Sequence, residues 1–93
     1  RRVLFRSFKW DLEKNKVLMQ DRGLCFEDVV SAIHDNKIID VIKHPNQAKY
    51  PNQSIYIIEL MGYVCMIPHV RNSNEIFLKT IIPSRKMQKK YKG

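Results

Sequence analysis

Acidic residues are scarce in the second half of this 93-residue chain. Residues 47–93 carry eight lysines and arginines against two acids, Glu59 and Glu75, whereas residues 1–46 carry nine against seven. The net charge of +8 is therefore concentrated rather than spread, which favours a polyanionic partner (nucleic acid, an acidic protein or an anionic membrane) over general solubility. Other scarcities narrow the field. Two cysteines, Cys25 and Cys65, are too few for the disulfide framework on which small secreted domains rely, so both are expected reduced. No secretory leader is visible, and the expected compartment is the cytoplasm. The histidines His34, His44 and His69 have no close mutual spacing and no paired cysteines beside them, so no metal site is expected. The longest apolar runs, "IYIIELM" and "YVCMIP", fall far short of the ~20 residues that a membrane-spanning helix needs. Low-complexity tracts and internal repeats are missing too. A chain of this length forms one domain and buries roughly 60–65% of its unfolded surface.

What is present changes period along the chain. The stretch "WDLEKNKVLMQDRGL" predicts a first helix capped by Asp11, with Trp10, Val17 and Leu18 on one side and Gly23 as a left-handed stop before Leu24. "CFEDVVSAIHDN" predicts a second, since Phe26, Val29, Val30 and Ile33 recur at helical spacing behind the acids Glu27 and Asp28. "KIIDVIK", "SIYIIEL", "YVCMIPHV" and "EIFLKTII" then predict four strands. The two Pro-Asn pairs of "HPNQAKYPNQ" mark a loop, Met61-Gly62 a tight hairpin, and "RNSN" a turn. Pro83 suits the first turn of a closing helix. The expected class is α+β: two N-terminal helices, a four-stranded, mainly antiparallel sheet, and a basic C-terminal helix. The central strands are apolar on both faces, with Ile55 and Ile57 opposite Tyr56 and Ile58. Two helices can cover only one set, which leaves the other to the terminal helix, a substrate or a partner.

The closing stretch "IIPSRKMQKKYKG" places Met87 and Tyr91 on one helical face, with Arg85 and Lys89 on one side and Lys86 and Lys90 on the other. Like charges at this spacing destabilise an isolated helix by roughly 0.2–0.5 kcal/mol per pair. A solvated basic tail and a phosphate-binding edge are both compatible with that pattern.

Taken together, "FKWDLEKN", "RGLCFEDVV" and "IIPSRKMQKKY" resemble the BrnT family of bacterial ribonuclease toxins. The matching positions are Trp10-Asp11, then Gly23 with Phe26-Glu27-Asp28, then Arg85-Lys86 with Tyr91. Asp40 and His44 add an Asp-x-x-x-His leading out of the first strand. The order and spacing span almost the whole chain. Where the family carries an arginine in the last strand and a serine before its basic pair, this chain has Thr80 and Pro83; Lys79 sits one place earlier, on the other strand face. The family's arginine after the hairpin glycine is Tyr63. The resemblance implies a RelE-like fold, growth-inhibiting endoribonuclease activity without metal or cofactor, and a small cognate antitoxin, itself a DNA-binding protein, as partner.

Metal-free RNA cleavage requires a base near the 2′-hydroxyl, a donor for the leaving oxygen and cations for the developing phosphorane charge. His44, at a strand-to-loop edge, is the candidate acid or base. Arg85 and Lys86 complete the candidate catalytic set, with Lys89 as a further cation. Lys79 shares a strand face with Phe77, where an RNA base can stack beside a cation. Tyr91 is a candidate phosphate donor, and His69, on the face of Tyr63, Cys65 and Ile67, a further RNA contact. His34 ends a helix, where a cation is favourable. A non-catalytic module binding nucleic acid or an acidic protein through the same basic edge is the second expectation. A membrane-surface role is disfavoured, because the terminal helix has two apolar residues on its face and neither Trp nor Leu.

Overall fold

A computed structural model of the protein describes residues 7–72 and 74–92. In chain order the elements are β1 (Ser7–Trp10), α1 (Leu12–Arg22), α2 (Phe26–His34), β2 (Ile38–Lys43), β3 (Gln53–Leu60), β4 (Tyr63–Arg71), β5 (Glu75–Leu78), β6 (Ile82–Pro83) and α3 (Arg85–Lys92). The class is α+β, as expected. The sheet has six strands among the described residues rather than four, in the order β1-β5-β4-β3-β2 with β6 also on β4. Among the described residues only the β1–β5 pairing is parallel. No helix of the described residues is long and apolar enough to cross a membrane.

Asp11 caps α1 as its position predicts, its carboxylate accepting the N–H groups of Glu13 at 2.9 Å and Lys14 at 3.3 Å. Gly23 ends the helix at φ 67°, in the left-handed region that glycine enters without a Cβ penalty. Trp10, however, is not on α1. It closes β1, beside Leu78, and stacks on Phe26 with ring centroids 5.8 Å apart. Val17 is 48% exposed, so α1 contributes Leu18 alone to the buried core. Asn15 joins the helices by accepting the Phe26 N–H at 2.8 Å and donating to Glu27 at 2.9 Å.

The predicted strand "EIFLKTII" is broken in two. Leu78 lies opposite His69 and Ile82 opposite Met66, so four steps on one strand match three on β4, which is a bulge. Pro68 explains where it falls. Its carbonyl accepts the Lys79 N–H at 2.9 Å, so its ring nitrogen faces the same neighbour with no hydrogen to donate. The Arg22 guanidinium satisfies the Ile81 carbonyl at 2.8 Å across the break. Pro83 belongs to β6 rather than to the first turn of α3. The cap of α3 is Ser84, whose hydroxyl accepts the Met87 N–H at 3.2 Å.

The β3–β4 hairpin turns at Met61 (φ 54°) and Gly62 (φ 79°), the double positive φ of a type I′ turn. Met61 is 79% exposed and touches no core, yet its Cβ is strained there. Met61→Asn is therefore expected to raise stability by about 0.5 kcal/mol, read as a higher urea midpoint at unchanged slope.

The sheet carries a core on each face. Phe26, Val29, Ile33 and Leu18 from the helices pack with Tyr56, Ile58, Cys65, Ile67, Ile76 and Leu78 on one. On the other, Ile55, Ile57 and Val64 are covered by Met87 and Tyr91, flanked by Ile42 and Met66. The second apolar set of the central strands is thus met by the terminal helix.

Candidate nucleic-acid interface

Four contacts set the rotation of α3 on the sheet. Ser84 N–H donates to the Val64 carbonyl at 3.1 Å, and the Gln88 side-chain carbonyl accepts the Val64 N–H at 2.9 Å. The Tyr91 hydroxyl donates to Asp40 at 2.8 Å, and Lys92 pairs with Glu59 at 3.1 Å. The helix therefore starts over β4 near the hairpin and crosses to β2. With Gln88 and Lys92 turned toward the hairpin, the 100° step of an α-helix puts Lys86 and Lys90 on the opposite flank and Arg85 and Lys89 on the outer side. Arg85, Lys86, Gln88, Lys89 and Lys92 line an open cavity of about 500 Å³.

Lys86 and Lys90 overlook the part of the sheet that α3 leaves bare. Strand register puts His44, Gln53, Val70, Phe77 and Lys9 in one row across this face, since His44 N–H bonds Gln53 O at 3.2 Å and Gln53, Val70, Phe77 and Lys9 are successive partners. Ile42, Ile55 and Pro68 form the next row, with Lys79 beside Pro68. Phe77 is 38% exposed, although its neighbours Ile76 and Leu78 are buried. The result is an apolar floor of Pro68, Val70 and Phe77 with Lys9 and Lys79 beside it. The Lys86 and Lys90 flank of α3 is turned toward this floor, the Lys90 ammonium lying 5.4 Å from the Tyr91 ring centroid. Bases can stack on such a floor while the lysines take the phosphates.

The predicted catalytic set is not brought together. Gln53, opposite His44, and Glu59, opposite Val64 and the start of α3, are six residues apart on β3, roughly 20 Å at ~3.3 Å per residue. Arg85 therefore lies at the far end of the sheet from His44, and one phosphate cannot meet both. Lys86, next to Arg85, starts from the same end of the sheet but on the flank turned toward the bare face; Lys89 faces outward. Phe77 and Lys79 lie on the exposed face they were expected to share. Lys9, Lys90 and Val70 were missed: Lys9 sits on a strand absent from the predicted set, and Lys90 gained its place only from the rotation of α3.

Tyr91 serves the anchoring of α3. Its hydroxyl holds the Asp40 carboxyl below the ordinary 3.8, helped by the Val41 N–H and the charge of Lys90, and the same bond raises the phenol.

His69 is removed from the RNA-facing set: it is fully buried, on the face covered by α1 and α2. Its parity with Cys65 and Ile67 is as predicted, but that is the core face. The ring stacks on Tyr56 at 3.8 Å, and Nδ1–H donates to the Ile67 carbonyl at 3.1 Å. Burial lowers its pKa from 6.5, with the charge of Arg71 adding to the effect and the Ile67 carbonyl opposing it. A lowered native pKa means that the unfolded chain binds the proton better. This contribution to stability is complete above pH 6.5 and is lost as the pH falls toward the native value. Urea unfolding at pH 7 and pH 5 is expected to show that loss, and His69→Gln to reduce the difference between the two pH values whatever its effect at pH 7.

Cys25 and Cys65 are free thiols, and burial raises both. Among the described residues no three histidine, cysteine or carboxylate side chains come together in a metal-binding group. Comparison with protein-family models and with curated proteins finds no match.

Proposed function

We propose that the chain is the toxin of a toxin–antitoxin pair, a RelE-like, BrnT-like endoribonuclease that cuts single-stranded RNA in the cytoplasm without metal and is silenced by a small antitoxin. The observation that carries this reading is the seating of α3. Met87 and Tyr91 fasten the helix across the sheet, and Lys86 and Lys90 then overlook a bare face bearing Phe77. The spacing of the quoted motifs supports the family, and the concentrated charge supports a polyanionic substrate.

The same groove fits the partner. An acidic or amphipathic antitoxin segment laid along it would neutralise the lysines and cover Val70 and Phe77, with charge speeding encounter and apolar burial slowing release. Induced expression in a bacterial host, with and without the neighbouring reading frame, tests the proposal. Growth is expected to stop only when the protein is made alone, and normal growth in both cases would count against a toxin. Hydrogen exchange on the co-expressed pair should show protection at residues 85–91.

The separation of His44 from Arg85 favours the second reading, a module that binds RNA without cutting it. The two differ in one readout: intact RNA recovered from the complex supports binding alone.

A further inference from the structure

The loop after β2 is built around the His44 ring. Nδ1 of His44 accepts the Asn46 N–H at 3.0 Å. The Gln47 side-chain amide donates to the His44 carbonyl at 2.8 Å and to the Gln53 carbonyl at 3.4 Å. Asn46 in turn accepts the Lys49 N–H at 3.2 Å on its side chain and the Tyr50 N–H at 2.9 Å on its carbonyl. The Tyr50 ring closes against His44 with centroids 4.5 Å apart. The first Pro-Asn pair thus holds the imidazole through Asn46, and the second sits in the turn that the Gln53 N–H closes on the Tyr50 carbonyl at 3.2 Å.

An amide N–H aimed at Nδ1 requires a lone pair there, and in neutral imidazole the proton then sits on Nε2. No described residue hydrogen-bonds to Nε2. The ring stands at the end of the row formed with Gln53, Val70 and Phe77, on the rim of the groove. We infer that His44 meets its ligand as a neutral hydrogen-bond donor, through Nε2–H to a phosphate oxygen of single-stranded RNA, and not as a base. Asn46 and Gln47 are its positioning residues. This deepens the RNA-binding reading and rests on it for the identity of the acceptor. The proton of an attacking hydroxyl then goes to a group other than His44.

Two measurements test this. Long-range ¹H–¹⁵N correlation on the labelled protein at neutral pH, without RNA, is expected to show Nε2 protonated and Nδ1 bare for His44. A protonated Nδ1 with bare Nε2, or an exchange average of the two, would overturn the assignment whatever the protein binds. In the second, glutamine brings its amide NH₂ close to where Nε2 stood, whereas asparagine reaches only as far as Nδ1. With a single-stranded oligoribonucleotide as probe, His44→Gln should stay within about threefold of the unaltered affinity. His44→Ala and His44→Asn should lose roughly ten- to a hundredfold, the range for a hydrogen bond to a charged group. Glutamine as weak as alanine would overturn the donor role. Failure of the unaltered protein to bind RNA would instead remove the functional reading, and the phosphate with it, while the tautomer result stood by itself.

Discussion

With Lys86 and Lys90 both replaced by alanine, the plot of log affinity for single-stranded RNA against log salt is expected to flatten by about 1.4 units. Each phosphate contact on a single strand releases counterions worth ~0.7 of slope, and both side chains lie on the flank of α3 that overlooks the bare sheet. Arg85 and Lys89 supply the control. They carry the same charge on the same helix but project outward, so their double alanine variant should change the slope by less than one unit. An equal change in the two variants would mean that the helix acts as a bulk charge without a preferred side. No change in either would mean that RNA, if bound, is held elsewhere.

The second large effect concerns the seat of the helix. Met87 and Tyr91 are half-buried against Ile55, Ile57 and Val64, and truncating both to alanine is expected to cost about 3 kcal/mol of stability. That is a large share of the roughly 5–10 kcal/mol available to a domain this small. An eight-residue helix with like charges at i, i+4 does not persist alone, so α3 should detach before the rest unfolds. Hydrogen exchange is then expected to accelerate in residues 85–92 with the sheet still protected. RNA affinity should fall although no charge has changed. Unaltered affinity with a detached helix would show that the cations work as a flexible tail and that the groove is not the binding surface.

How much of this was legible beforehand follows from which constraints are local. The N-cap at Asp11, the stop at Gly23 and the Met61-Gly62 turn depend on a few neighbouring residues, and all three stand in the structure. The pairing of Met87 with Tyr91, and the need for something to cover Ile55 and Ile57, were also readable, because helical and strand periods alone decide them. The failures are non-local. "SFKW" forms a strand only because β5 lies beside it, and its four residues carry no period long enough to notice. The bulge between β5 and β6 depends on Pro68, ten residues or more away, facing that segment rather than β3. For His69, parity predicted its companions correctly, but which of the two faces becomes the deeper core depends on where α1 and α2 dock. The candidate site shows the same division. Phe77 and Lys79 were placed by strand parity, whereas the distance between His44 and Arg85 is fixed by register across β2, β3 and β4, and no single segment contains it.

The central claim is that a groove between α3 and the bare sheet face takes RNA and cuts it. Its most direct test is to incubate the purified protein with a labelled single-stranded RNA in chelator and follow the fragments, with the Lys86→Ala, Lys90→Ala variant alongside. The expected result is cleavage by the unaltered protein, reduced at least tenfold in the variant at moderate salt. RNA that stays intact while bound, or cleavage at equal rate by both proteins, would contradict it.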